Sequence, residues 1–136
     1  INVFSGNDKA TVVTDTGIIS DDILHRIDDS TLLVLEANYD PHMLRFGPYQ
    51  PFLKQRVASD EGHLSNEMAA QALLMMKRPD FMQVILAHRS ENNNNAVLVT
   101  QTIGKMLVDG GVRIGPEMKL QHGQPNEIVS MQSIKR

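Results

Sequence analysis

Asp15, Glu36 and His88 each end a short apolar run: Val12-Val13-Thr14-Asp15, Leu32-Leu33-Val34-Leu35-Glu36 and Val84-Ile85-Leu86-Ala87-His88. In α/β sheets, ligands bind outside the carboxyl ends of the strands, so polar residues at those positions stand where chemistry is built. His63, in Gly62-His63-Leu64-Ser65-Asn66 just ahead of a predicted helix, adds a fourth group. Two carboxylates and two imidazoles can hold a divalent cation or act as acid and base. Each also has an ordinary structural reading. An Asp before Thr-Gly is a common turn residue, Glu36 can close a loop by hydrogen bonding, and both histidines can bond nearby backbone. His25 and His42 fall on predicted helix surfaces and His122 in a loop, where solvated surface is the simplest reading.

The elements that must position these groups alternate between strand and helix. Lys9 to Thr14 reads as a strand, with Ile1 to Phe4 as a hairpin partner turning at Gly6-Asn7. Ser20-Asp21-Asp22 is a helix start, and Ile23, Leu24 and Ile27 have helical spacing. Thr31 to Leu35 and Met82 to Ala87 read as buried strands. Pro41 opens a short helix capped by Asp40, and another covers Phe52 to Val57. Asn66 caps a helix running to Met75. After the tract Asn92 to Asn95, a helix runs from Ala96 to Asp109 and stops at Gly110-Gly111. Ile128 to Ile134 reads as a final strand. The pattern predicts an α/β fold in a single unit over residues 1–136.

Composition narrows the function classes. The chain has 136 residues, 41% hydrophobic and 21% charged, the mix of a folded globular protein. It has no cysteine, which excludes disulfides, thiolate zinc sites and cysteine nucleophiles; a cytoplasmic protein is the expectation. The longest apolar run, Ala72 to Met76, is too short to span a membrane, and no membrane partner or signal peptide is expected. With a net charge of −3, any nucleic-acid contact must be local or use a metal.

Four words then combine: VVTDTG at 12–17, LVLEANYD at 33–40, GHLSN at 62–66 and VILAHRSENNN at 84–94. In order and spacing, from about Lys9 to Ile134, they resemble the metallo-β-lactamase-fold hydrolases, in the YycJ/WalJ-type branch of bacterial nuclease-like proteins. The resemblance implies that Asp15 is a carboxylate bridging two divalent metal ions, zinc or manganese, and that His88 is the last metal-binding histidine. It implies that Glu36 and His63 are the pair that protonates the leaving oxygen after phosphodiester cleavage, as in related tRNA 3′-processing endonucleases. Two cations about 3.5–4 Å apart can activate water and stabilise both attacking and leaving oxygens. A glutamate fixes the tautomer of a histidine that serves as general acid. Asn38, Asp40, Ser65 and Asn66 are implied supports or phosphate contacts, and Arg89 and Lys54 candidates for the phosphate backbone. The implied substrate is nucleic acid, most readily DNA degraded 5′ to 3′.

The chain departs from that family in one large respect. The metal-binding word HxHxDH is absent, and no two of the five histidines are separated by a single residue. Tyr39 also stands where many relatives have histidine, and Gln50-Pro51 alters a YP-type sequence, so neither carries a role. The chain reads as the carboxy-terminal half of the hydrolase, inactive alone: one mixed sheet of the four-layer αββα sandwich, helices on one face, and an apolar inner face awaiting the amino-terminal half. The competing expectations are a non-catalytic module that binds a partner or pairs as a homodimer, and a hydrolase of the same fold with another substrate.

Overall fold

The β-branched run Thr11-Val12-Val13 forms the second strand of a five-stranded sheet in the computed structural model, which describes residues 1–123. The strands are β1 (Asn2–Ser5), β2 (Asp8–Val13), β3 (Leu32–Glu36), β4 (Met82–Ala87) and β5 (Met118–His122), in spatial order β1-β2-β3-β4-β5. β1 and β2 form an antiparallel hairpin through Gly6, whose φ of 59° suits the left-handed turn. β2, β3, β4 and β5 are parallel neighbours.

The helices are α1 (Asp21–Ile27), α2 (Pro41–Phe46), α3 (Pro51–Val57), α4 (Asn66–Met75) and α5 (Ala96–Asp109). Their starts follow local chemistry. Ser20, Asp40, Ser65 and Asn95 each accept a backbone N–H three residues on, satisfying one of the otherwise unpaired amides. α2 and α3 begin with proline, whose missing N–H costs nothing at the first helical position. The cap of α4 is Ser65, one residue before the Asn66 that the sequence suggests; the hydroxyl takes the Met68 amide at 3.1 Å and leaves Asn66 for another partner.

The strand order advances one way across the sheet, so each crossover stacks its helix on the same side. Ile27 of α1, Ala69 and Leu73 of α4, and Val99, Ile103 and Leu107 of α5 share a core with Leu33, Leu35, Met82, Val84, Leu86 and Met118. Those strand residues have one pleat parity. The other parity carries Val34 and Ile85, only partly covered, and Val12, 43% exposed. Among the described residues the sheet therefore has a clothed face and a less covered one, as expected for one half of a sandwich, but that second face mixes Val12, Val34 and Ile85 with Gln83, Lys119 and Gln121 rather than being purely apolar. A smaller core of Tyr39, Leu44 and Val57, with Tyr49 against it, seats α2 and α3.

β5 is not apparent from the sequence. Met118 and Leu120 do alternate with polar neighbours, but the run is short and follows Gly115-Pro116. His122, expected in a loop, closes that strand, and the strand expected at Ile128 to Ile134 lies outside the described residues. No helix among the described residues is long and apolar enough to cross a membrane.

Candidate metal centre

Pleat parity sends Glu36 to the open face of the sheet, yet its side chain is fully buried. The burial comes from three loops that fold over the end of β3. One follows β2 and carries Asp15; one precedes α4 and carries His63; one follows β4 and carries His88. Each of Asp15, Glu36, His63 and His88 offers a ligand atom within 4.8 Å of the others.

Glu36 is the hub. Its Oε2 accepts the Leu64 amide at 3.0 Å, and its Oε1 accepts the Asp15 amide at 3.3 Å. His63 Nδ1 lies 3.2 Å from both oxygens, and His88 Nδ1 contacts Oε1. The sequence pairs Glu36 with His63 alone; the fold gives it both histidines and two backbone amides. A carboxylate only accepts, so each ring points its Nδ1 hydrogen at Glu36 and turns Nε2 away from it as the outer nitrogen. Asp15 Oδ1 stands 3.5 Å from His88 Nδ1 and 3.9 Å from His63 Nδ1, and its side chain is 71% exposed. The rings of His63 and His88 meet edge-on with centroids 5.1 Å apart.

The donor set fits a divalent cation. Glu36 is met by four N–H donors, whereas Asp15 and the outer nitrogen of His88 are the groups that could hold an ion. Oxygen and imidazole nitrogen suit zinc or manganese. The backbone is bent to this arrangement: Asp15 and His88 both have φ of 58°, a region non-glycine residues seldom occupy. Such conformations persist only where surrounding contacts over-determine them, and they cluster at functional sites.

The remaining residues singled out from the sequence divide by position. Asn38 ties two of the loops: its Nδ2 donates to the His88 carbonyl at 2.7 Å, its N–H to the Leu64 carbonyl, and its own carbonyl accepts the Ser90 amide. Asn66 is fully buried and exchanges two hydrogen bonds with Asn94, at 3.0 and 2.8 Å. Asn94 also donates to the Ala37 carbonyl, so this amide pair clamps the His63, Glu36 and His88 loops together. Asp40 and Ser65 cap α2 and α4. Lys54 donates to the Arg45 carbonyl at 2.7 Å, linking α3 to α2. Arg89 is half-buried, with Nη1 shielded from solvent and without a hydrogen-bond partner among the described residues, near His122. Burial and the Arg89 charge both push the His122 ring below its usual range. Burial, and secondarily Glu67, raise the Tyr39 phenol.

Three contributors are not signalled by the sequence. Asn94 lies inside the asparagine tract, which indicates turns but not which amide turns inward. Gly17 and Gly62 let loops approach: a Cβ on Gly17 would sit 1.7 Å from the Ser59 carbonyl oxygen, and one on Gly62 2.2 Å from that of Val57.

No family model matches the chain. Among curated proteins, it is 32% identical over 130 residues to exodeoxyribonuclease YycJ of Bacillus anthracis, and 33% identical over 132 residues to exodeoxyribonuclease WalJ of Streptococcus pneumoniae. Each alignment covers 96% of this chain and 49% of the relative, so the chain spans about half the length of the curated relatives it matches. The similarity runs through all four words that build the candidate centre, and it agrees with the one-sided α/β sheet. Over nearly its whole length, the chain is similar to about half of a YycJ/WalJ-type exodeoxyribonuclease.

Proposed function

We propose that the chain is the carboxy-terminal half of a metal-dependent phosphodiester hydrolase, a DNA exonuclease acting 5′ to 3′ in the intact protein. The observation that carries this reading is the convergence of Asp15, Glu36, His63 and His88 within 4.8 Å at the carboxyl edge of the sheet. Asp15 and His88 would hold divalent cations, whose charge would make a bound water more acidic and offset charge on the phosphate. Two ligands are fewer than a catalytic site needs, and the others come from the amino-terminal half, which also covers the open sheet face. Glu36 holds the Nδ1 hydrogen of His63, and the doubly protonated ring presents its Nε2–H to the substrate and delivers that proton to the leaving oxygen. Glu36 does the same for His88, which keeps that ring's outer nitrogen free for an ion. The Asn38 and Asn66–Asn94 contacts keep the three loops in register. Arg89 supplies positive charge for a neighbouring phosphate.

The test is release of nucleotides from end-labelled DNA with added manganese, comparing this chain with one extended upstream to include an HxHxDH word. The extended chain should degrade DNA and the 136-residue chain should not. His63→Ala in the extended chain should slow hydrolysis about 10²–10⁴-fold, the range of a lost general acid. Full activity in the short chain removes the half-domain reading, and metal-independent activity removes the metal centre. The open sheet face favours one further reading, in which the isolated chain pairs with a second copy. Sedimentation as a strict monomer would discard that.

A further inference from the structure

Between the Glu36 strand and the His63 loop lies a segment whose composition differs from the rest of the chain. Residues 41–57, which form α2 and α3, contain Arg45, Lys54 and Arg56 but no Asp or Glu, in a chain whose net charge is −3. The short stretch from Tyr39 to Phe52 also holds four of the chain's six aromatic residues, Tyr39, Phe46, Tyr49 and Phe52. The fold sorts these four into two pairs. Tyr39 and Tyr49 pack inward with Leu44 and Val57, whereas Phe46 is 68% exposed and Phe52 71% exposed.

Single exposed apolar side chains are common and need no explanation. Phe46 and Phe52 differ by their setting. The Arg45 guanidinium lies over the Phe46 ring at 5.4 Å, and the His42 ring stands 4.7 Å from it, centroid to centroid. The Lys54 bond to the Arg45 carbonyl and the tyrosine-lined core beneath hold both short helices, so the exposed rings stand on a fixed base. The segment also reaches the metal centre: Leu53, Arg56 and Val57 of α3 line one depression with Asp15, Glu61, Gly62 and His63, where Arg56 is the one fixed cation against two carboxylates.

Exposed rings interleaved with cations are what unpaired nucleotides bind, since every base offers a face for stacking and the backbone follows positive charge. We infer that α2 and α3 form a platform for single-stranded DNA, with Phe46 and Phe52 stacking bases and Arg45 and Arg56 tracking phosphates toward Asp15 and His63. This deepens the nuclease reading and rests on it for the identity of the ligand. It also resolves the charge difficulty: an acidic chain needs only a local basic strip, placed beside the site. A duplex hides the faces of its internal bases, so the platform favours a single strand over blunt duplex DNA.

The experiment is fluorescence anisotropy of a labelled oligothymidylate with the 136-residue chain in chelator, which prevents hydrolysis. Phe46→Ala and Phe52→Ala should each weaken binding by about 5-fold or more, while leaving thermal unfolding unchanged because both rings are exposed. Arg56→Ala should reduce the salt dependence, lowering the slope of log affinity against log salt by about 0.7. Phe4→Ala, at the far edge strand and 68% exposed, is the control and should bind as the parent does. Parental affinity in both platform variants, equal affinity for blunt duplex, or no binding by the parent would overturn the platform. So would a result in which the phenylalanine variants dissociate a dimer at unchanged DNA affinity. If phenylalanine-dependent binding is seen but the upstream-extended chain hydrolyses nothing, the nuclease reading fails and the platform stands.

Discussion

Glu36→Gln should weaken metal binding about 10–100-fold, although no ligand atom for the ion is removed. The substitution conserves shape and exchanges one accepting oxygen for an NH₂ group. Every neighbour of the carboxylate is a donor: the Asp15 and Leu64 amides and the Nδ1 atoms of His63 and His88. An NH₂ facing Leu64 sets donor against donor in a fully buried pocket. An NH₂ facing His88 forces that ring into the other tautomer, which puts the hydrogen on Nε2 and removes the lone pair meant for the ion. Glu36→Ala deletes all the acceptors at once and should cost about 2–5 kcal/mol of stability, since buried N–H groups are left unpaired. Calorimetric titration of manganese or zinc into the upstream-extended chain reads the first effect, and urea unfolding reads the second. Unchanged metal affinity in Glu36→Gln would mean that the histidines do not depend on this carboxylate for their tautomers.

Gly17→Ala should be the most damaging methyl group that can be added to the loops around the site. Its Cβ would lie 1.7 Å from the Ser59 carbonyl oxygen and 3.0 Å from the Asp60 carbonyl carbon, both backbone atoms that cannot rotate away. The Gly17 amide also donates to the Asp60 carbonyl at 2.9 Å, a bond that relief of the clash would break. That contact holds the Asp15 loop against the loop leading to His63. Overpacking of this kind costs about 3 kcal/mol or more when the backbone must move. Gly104→Ala provides the contrast. It lies inside α5 with nothing nearer than 4.0 Å to the added Cβ, and it should stabilise the chain by about 1 kcal/mol through helix propensity. Opposite shifts in the unfolding midpoint are the expected result. A neutral Gly17→Ala would show that the two loops are not in the contact described.

Much of this arrangement is legible from residues because local rules and global fold agree. The strands of the parallel sheet are short apolar runs ended by a polar residue, and that punctuation alone locates Asp15, Glu36 and His88. Helix caps are readable to within a residue, because a hydroxyl or carboxylate three positions ahead of an amide is a local event. What the sequence hides depends on pairs distant along the chain. Asn94 bonds Asn66 across 28 residues and Ala37 across 57, so no window of sequence contains the clamp. Gly17 looks like an ordinary turn residue, because its importance lies in Ser59, not in its neighbours. Glu36 reads as the partner of one histidine and serves two, since only the register of β3 with β4 places Glu36 opposite Ala87 and thus beside His88. β5 is hidden because two apolar residues in a five-residue strand are too few for periodicity to stand out.

The left-handed backbone at Asp15 and His88 sets stability and chemistry against each other. A non-glycine residue in that conformation costs on the order of 1–2 kcal/mol, and glycine relieves it. At the exposed Asp15, glycine should therefore raise the unfolding midpoint while deleting a candidate ligand, whereas at His88 the gain is offset by the lost contact with the buried Glu36 carboxylate. Selection of variants for thermal endurance alone would favour glycine at Asp15, as at Asp29 with its φ of 61°, and at Asp15 it would return a sturdier protein with a depleted site. Thermal scans of Asp15→Gly and Asp29→Gly, with the metal affinity of the first, would expose that trade, and a lowered midpoint in both would argue that the bent backbone is held at no cost.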